Sequence, residues 1–185
     1  SVSWSTDSCD LASADETGQI IVWNVATSIP VFFHKEGFPI FATAWSPCDR
    51  FLATGGLGKK VCIWDTTTGM ELMRLHLIDE IFALSWSPDG QFLAAGHAGG
   101  SGDGNAAGVT VWETNPWRRI LHAGRMGTDT VAWSPDSKTL AYGDMLRGLQ
   151  LLNIEQPEAV VSLPGHKNML SSAAWCPTAP PSRLA

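Results

Sequence analysis

One phrase, repeated along the chain, restricts what it can fold into. Its fullest copy runs from residue 81 to residue 113. Ile81-Phe82-Ala83-Leu84-Ser85-Trp86 is an apolar run with the alternation of a strand. Ser87-Pro88-Asp89-Gly90 follows, a turn in which Pro presets φ and Asp-Gly accommodates the tight bend. Residues 92–96 read as a second strand, and Val109-Thr110-Val111-Trp112-Glu113 as a third that closes on Trp and an acid.

The phrase recurs at a fixed interval. Trp4, Trp45, Trp86, Trp133 and Trp175 mark the first strand, at separations of 41, 41, 47 and 42 residues. Trp23, Trp64, Trp112 and Leu152 mark the third strand, at offsets of 19, 19, 26 and 19 from the first. The third unit therefore carries a seven-residue excess, the Gly-rich residues 98–108. A period of about 40–45 residues with four short strands per unit is that of propeller blades. Strands are predicted at 2–5, 11–14, 20–24 and 30–33; at 41–46, 51–54, 61–65 and 71–76; at 81–86, 92–96, 109–113 and 119–122; and at 130–134, 139–142, 149–154 and 159–163. Residues 170–175 begin a fifth unit. The blades fall at 1–36, 37–77, 78–125 and 126–166, with the fifth starting at 167–176 and a Pro-rich tail or truncated edge at 177–185. The expected fold is all-β, with four-stranded antiparallel blades. An open arc would leave two apolar blade faces bare, so the chain reads as an incomplete part of a larger propeller or as one half of a dimer through open blade edges.

Trp45-Ser46-Pro47-Cys48-Asp49, Trp86-Ser87-Pro88-Asp89-Gly90 and Trp133-Ser134-Pro135-Asp136, with the endings Trp23-Asn24, Trp64-Asp65 and Trp112-Glu113, resemble the WD-repeat family. Gly165-His166 stands nine residues before Trp175, where that family places its Gly-His pair. TolB-like repeats share the Trp-Ser-Pro-Asp-Gly turn but usually lack the Trp-acid ending. The resemblance implies a propeller of about seven blades. It also implies hydroxyl–indole pairs between Ser13 and Trp23 and between Thr54 and Trp64. Ala95 stands where Trp112 would meet a hydroxyl, and Leu152 replaces Trp in the fourth unit. His34, His76 and His122 lie 11, 10 and 11 residues before the next Trp, not nine, and each reads more simply as a surface-loop residue.

Charge and composition narrow the partners. Net charge is −6, from 12 basic and 18 acidic residues, which disfavours nucleic acid. No apolar run approaches the roughly 18 residues of a membrane helix, so no membrane role is expected. Cys9, Cys48, Cys62 and Cys176 show no C-x-x-C spacing, which points to thiols in a reducing compartment, cytoplasmic or nuclear, rather than a metal site. The chain begins inside the pattern, without Met, and reads as a piece of a longer protein.

No catalytic constellation is legible. The G-x-S-x-G elbow, the P-loop and H-E-x-x-H are absent. Gly99-Gly100-Ser101-Gly102-Asp103 matches one calcium nonapeptide copy, and such copies work only when stacked. No cofactor is implied. The family resemblance implies that the face carrying the inter-blade loops and the channel mouth is the usual docking surface. Lys35, Glu36, Phe38, Asp79, Glu80, Arg125, Met126, Lys167, Asn168 and Met169 are expected there from the inter-blade loops. Glu16, Lys59 and Arg147 join them from the turns between second and third strands, and Gly100, Asp103 and Asn105 from the insertion. Trp117 lies outside the pattern, either stacked on its own blade or exposed as an anchor. The expected function is a non-catalytic scaffold or adaptor that binds proteins or peptides. The alternative is the regulatory domain of a multidomain enzyme. If residues 98–108 form a recognition loop, shortening them to the length found in the other units leaves the thermal melt intact and abolishes partner binding. Retained binding removes the loop from the site.

Overall fold

The computed structural model describes residues 1–97, 107–124, 126–166 and 168–176. They form four antiparallel sheets of four strands each, as the period predicts. The first blade holds β1 (Val2–Trp4), β2 (Asp10–Ala14), β3 (Gln19–Asn24) and β4 (Ile29–Lys35). The second holds β5 (Ile40–Trp45), β6 (Phe51–Gly56), β7 (Lys60–Asp65) and β8 (Glu71–His76). The third holds β9 (Ile81–Trp86), β10 (Phe92–His97), β11 (Gly108–Thr114) and β12 (Trp117–Ala123). The fourth holds β13 (Val131–Trp133), β14 (Thr139–Asp144), β15 (Gly148–Asn153) and β16 (Gln156–Leu163). Each sheet is a simple meander. The first strands lie side by side, β1 on β5, β5 on β9 and β9 on β13, and so form the inner wall.

The Trp-Ser-Pro turns fold for a chemical reason. The Ser hydroxyl accepts the amide N–H of the first residue of the next strand: Phe51 on Ser46 at 3.0 Å, Phe92 on Ser87 at 2.9 Å and Thr139 on Ser134 at 2.9 Å. In two of these turns it also donates to the following Asp, Asp89 or Asp136. The fourth residue after each Trp has positive φ: Ser8, Asp49, Gly90 and Ser137. Two of these side chains also tie neighbouring blades together. The Asp49 carboxylate accepts the N–H groups of Thr6 and Asp7, and the Ser137 hydroxyl accepts that of Asp89.

The inner wall is pinned by the first-strand Trp itself. Trp45 donates its indole N–H to the Ser3 carbonyl at 3.0 Å, and Trp86 to Ala44 at 3.2 Å. Trp133 donates to Ser85 at 3.1 Å, and Trp175 to Ala132 at 2.9 Å. Each acceptor is the residue just before the Trp of the preceding blade. Apolar clusters fill the three junctions: Val22, Leu52 and Trp64 in the first, Ile63, Ile81 and Leu93 in the second, and Val111, Leu140 and Leu152 in the third.

Two expectations need correction. Residues 170–175 are not a strand, because none of the described residues supplies a second strand of their own blade to pair with. Trp175 nonetheless makes the inter-blade bond, and Leu170 packs against Gly143. His34, His76 and His122 lie in the outer strands β4, β8 and β12, not in loops. His34 packs against Trp64 across the first junction at a tilt of 45°, with centroids 4.3 Å apart.

The outer faces of the first and fourth blades carry no neighbouring blade among the described residues. Trp4 is 56% exposed, Phe33 58%, and every residue of β16 is exposed. The contrast gives a measurable pair. Trp86→Phe removes the donor to Ala44 and should lower stability by about 2–3 kcal/mol in urea unfolding. Trp4→Phe should change it by less than about 0.5 kcal/mol.

Candidate functional site

In a meander blade, the turns between second and third strands and the loops between blades emerge at the same end. This end is the linker face; the Trp-Ser-Pro turns and the turns between third and fourth strands form the opposite turn face. Lys35, Lys59, Met126, Arg147 and Met169 are exposed on the linker face, while Phe38 and Glu80 are half-buried. Glu36 and Asp79 were expected to project there, and they do not. Glu36 is 8% exposed and Asp79 3%. Gly100, Asp103, Asn105, Arg125 and Lys167 lie outside the described residues.

Glu36 is drawn inward by the second blade. Lys60 Nζ lies 3.1 Å from its Oε2 and 3.2 Å from its Oε1. The same ammonium sits 5.0 Å from the centre of the Phe38 ring, a cation–π contact in a dry setting. Phe38 in turn covers Gly58, where a Cβ would come within 2.2 Å of the ring. The linker between the first two blades is therefore held by one buried ion pair and one aromatic plate. Asp79 pairs more loosely with exposed Lys59, at 3.9 Å.

Glu36, Cys62 and Glu71 bring their ligand atoms within 4.8 Å of one another. Each is already engaged by protein groups. Lys60 neutralises Glu36, both carboxylate oxygens of Glu71 accept from Arg74, and the Cys62 thiol donates to Glu36 at 3.6 Å. Burial pushes the Cys62 thiol up to about 12, so it stays protonated. The cluster is an internal lock between blades, with neither a nucleophile nor a free ligand set.

The hydroxyl–indole contacts read from the sequence are present in two blades. Trp23 donates to Ser13 and Trp64 to Thr54, both at 2.9 Å. In the third blade a different set forms, with Thr110 Oγ1 within 3.0 Å of His97 Nε2 and 3.2 Å of His122 Nδ1. His166, expected in such a set, is exposed. Trp117 stacks edge-on against Trp86 of its own blade, centroids 5.8 Å apart.

Sequence reasoning missed the apolar side chains of the linker face. Leu57, Ile78, Met145 and Leu146 are exposed by 38%, 59%, 44% and 75%. With Met126 and Met169 they make six on this face, against Val25 and Met70 among the exposed large apolar loop residues of the turn face. The available signal was Met145-Leu146, set in a turn whose chemistry asks for polar residues. Asp144 Oδ1 accepts the N–H groups of Leu146 and Arg147, so the turn needs nothing from those side chains. Below this rim, Phe41 and Phe82 sit at register shifts in the inner strands β5 and β9 and stack in parallel, 5.4 Å apart. Asp129 takes the equivalent position in the fourth blade, and partial burial raises its carboxyl above the ordinary range.

Thiol chemistry tests the lock. At pH 8, exposed Cys48 and Cys176 should react rapidly with Ellman's reagent, Cys9 more slowly because the Asp7 carboxylate raises its thiol above the ordinary range, and Cys62 only after unfolding. The folded chain holds the Cys62 proton up to about pH 12, while the free thiol releases it near 9.0. Stability through Cys62 is therefore complete below pH 9 and is lost as pH rises toward about 12. Cys62→Ala should flatten that alkaline limb of the stability profile.

Comparison with known proteins agrees with this architecture. The family model for the WD domain, G-beta repeat, matches residues 27–65 and 73–106. A search of curated proteins returned no match. Among solved structures, the β-propeller domain of Cps50 (Swd1) from Myceliophteria thermophila superposes with a TM-score of 0.74 at 16% identity. That likeness shows the fold alone. It covers 88% of this chain and 54% of that one, so the chain spans about half the length of the domain it matches. Two WD repeats are matched, at residues 27–65 and 73–106, and they lie within four blades of β-propeller fold.

Proposed function

We propose that the chain is a non-catalytic interaction scaffold whose linker face binds a protein or peptide. The concentration of exposed apolar loop residues on that face carries the reading. Leu57, Ile78, Met126, Met145, Leu146 and Met169 stand among Lys35, Lys59 and Arg147. Large apolar groups mixed with basic ones have the make-up of an interface core with a charged rim. Asp144 accepts the N–H groups of the turn that carries Met145 and Leu146, and the Leu57 N–H is bonded to the Pro39 carbonyl, so exposure of these side chains does no folding work. An overall charge of −6 favours a protein partner over nucleic acid.

The test is a double substitution, Ile78→Ser with Leu146→Ser. Both side chains are more than half exposed, so the midpoint of urea unfolding should move little, by less than about 0.5 kcal/mol per site. Affinity purification from lysate, quantified against the unsubstituted chain, should show loss of the partners that chain retains. Val25→Ser on the turn face should keep them. Retention of every partner by the double variant would sink the proposal.

A further inference from the structure

The junction between the second and third blades departs from the first junction at three equivalent positions. The αL residue of the turn is Asp49 at the first junction and Ser137 at the third, and both reach across to the preceding turn. At the second junction it is Gly90, which has no side chain to reach with. The outer-strand residue that enters the first junction is Phe32, opposite Val22; its counterpart at the second is Met73, opposite Ile63. Five residues after the third-strand Trp stands Gly69, against which Phe32 packs so closely that a Cβ would lie 3.0 Å from the ring. The counterpart five residues after Trp112 is Trp117. Bulk has moved from the outer strand of one blade to the start of the outer strand of the next, and the bridging side chain is gone.

What results is a cleft of about 570 Å3 on the turn face, within the range of about 300–1,000 Å3 typical of binding pockets. Trp86, Trp117, Phe51, Ile63 and Met73 supply apolar walls, and Leu72, 52% exposed, forms a lip. Among the described residues, Asp89 is the one charged residue in its lining. Its bonds to the Ser87 hydroxyl and the Gln91 N–H both fall on Oδ1, which leaves Oδ2 for a cation. Neighbouring Arg50 is taken up by Asp65 at 3.4 Å and by the Phe51 ring. The lip belongs to β8, the edge strand of its sheet, whose outer side offers backbone donors and acceptors to an added strand.

We propose that this cleft is a second binding site, for an extended peptide of a partner protein that buries an aliphatic or aromatic side chain between Met73 and Trp117 and sets a neighbouring Lys or Arg against Asp89. The apolar walls select the buried side chain, the lone carboxylate selects the sign of the charge, and the β8 edge selects an extended backbone. The site lies on the turn face and is independent of the linker face.

The probe is a set of fluorescein-labelled decapeptides in a Ser/Gly background. Each carries one Leu, Met or Phe with Lys or Arg one or two residues on, and binding to the full chain is followed by anisotropy. At least one pairing should bind, and replacing its basic residue by Glu should weaken it at least tenfold. Asp89→Asn should weaken the basic peptide about fivefold and leave an uncharged analogue unaffected. Met73→Phe, which sets a second large ring beside Trp117 and fills the cleft, should abolish binding; Leu72→Ser at the exposed lip should weaken it about fivefold with no change in the melt. The Ile78→Ser, Leu146→Ser variant should bind the peptide normally even if it has lost its linker-face partners. Binding of none of the peptides, or binding insensitive to both Met73→Phe and Leu72→Ser, overturns the proposal. So does equal binding by phenylbutylamine, which would make the cleft a small-molecule pocket.

Discussion

The inner wall rests on one hydrogen bond made four times. Each first-strand Trp points its indole N–H at a main-chain carbonyl of the preceding blade, always the residue before that blade's own Trp. Inner strands of neighbouring blades are not paired as a sheet, so their facing backbone groups need partners from side chains. The indole supplies the donor, and its ring supplies the apolar body that seals the bond from water. A net value of about 1 kcal/mol per bond is modest. Its geometric effect is larger, because it fixes the rise and rotation of each blade relative to the last. The Ser and Asp of the turn that follows can then reach their own partners.

The polar groups buried beneath the first inter-blade linker are paired with one another. Lys60, Glu36 and Cys62 satisfy one another beneath the Phe38 plate, and Arg74 holds Glu71. Removing Lys60 or Glu36 would leave its partner's buried charge uncompensated, which costs about 3–5 kcal/mol. This network lies against the linker face and ties the first inter-blade linker to the second blade. The exposed residues that could change on binding are the loop tips, Ile78, Met145 and Leu146 among them.

The fold was legible because its signal is periodic and redundant. Trp45, Trp86 and Trp133 each stand before Ser-Pro, and three third strands end in Trp followed by Asn, Asp or Glu, so a misread strand would have been corrected by its copies. Sites were less legible because they reside in departures from the period. Glu36 looked like a loop acid, and only the position of Lys60 on a different blade explains its burial. The three outer-strand histidines looked like loop residues because their spacing fits no shared network, yet His34 finds Trp64 and His122 finds Thr110 through tertiary contacts. Leu57 and Leu146 were overlooked because a turn was expected to be polar, whereas Asp144 and Gln150 hold the turn that carries Leu146. Trp117 was left between two readings that its stacking on Trp86 now decides.

The second junction shows how a repeat architecture allows local change. Stability in such a stack is close to a sum of blade terms and nearest-neighbour interface terms. Phe32 against Gly69 and Met73 with Trp117 are two arrangements of the same interface, each with one large ring, the first closed and the second leaving a cleft. Exchanging one for the other leaves the indole–carbonyl bond of Trp86 intact, so blade order and rotation do not change. The flanking junctions keep their Asp49 and Ser137 bridges. A side-chain bridge lost at Gly90 is therefore felt at one junction, where it opens a cleft, and not in the rest of the arc. Because the wall is set by a bond at the inner strands, the outer parts of each junction are free to diverge.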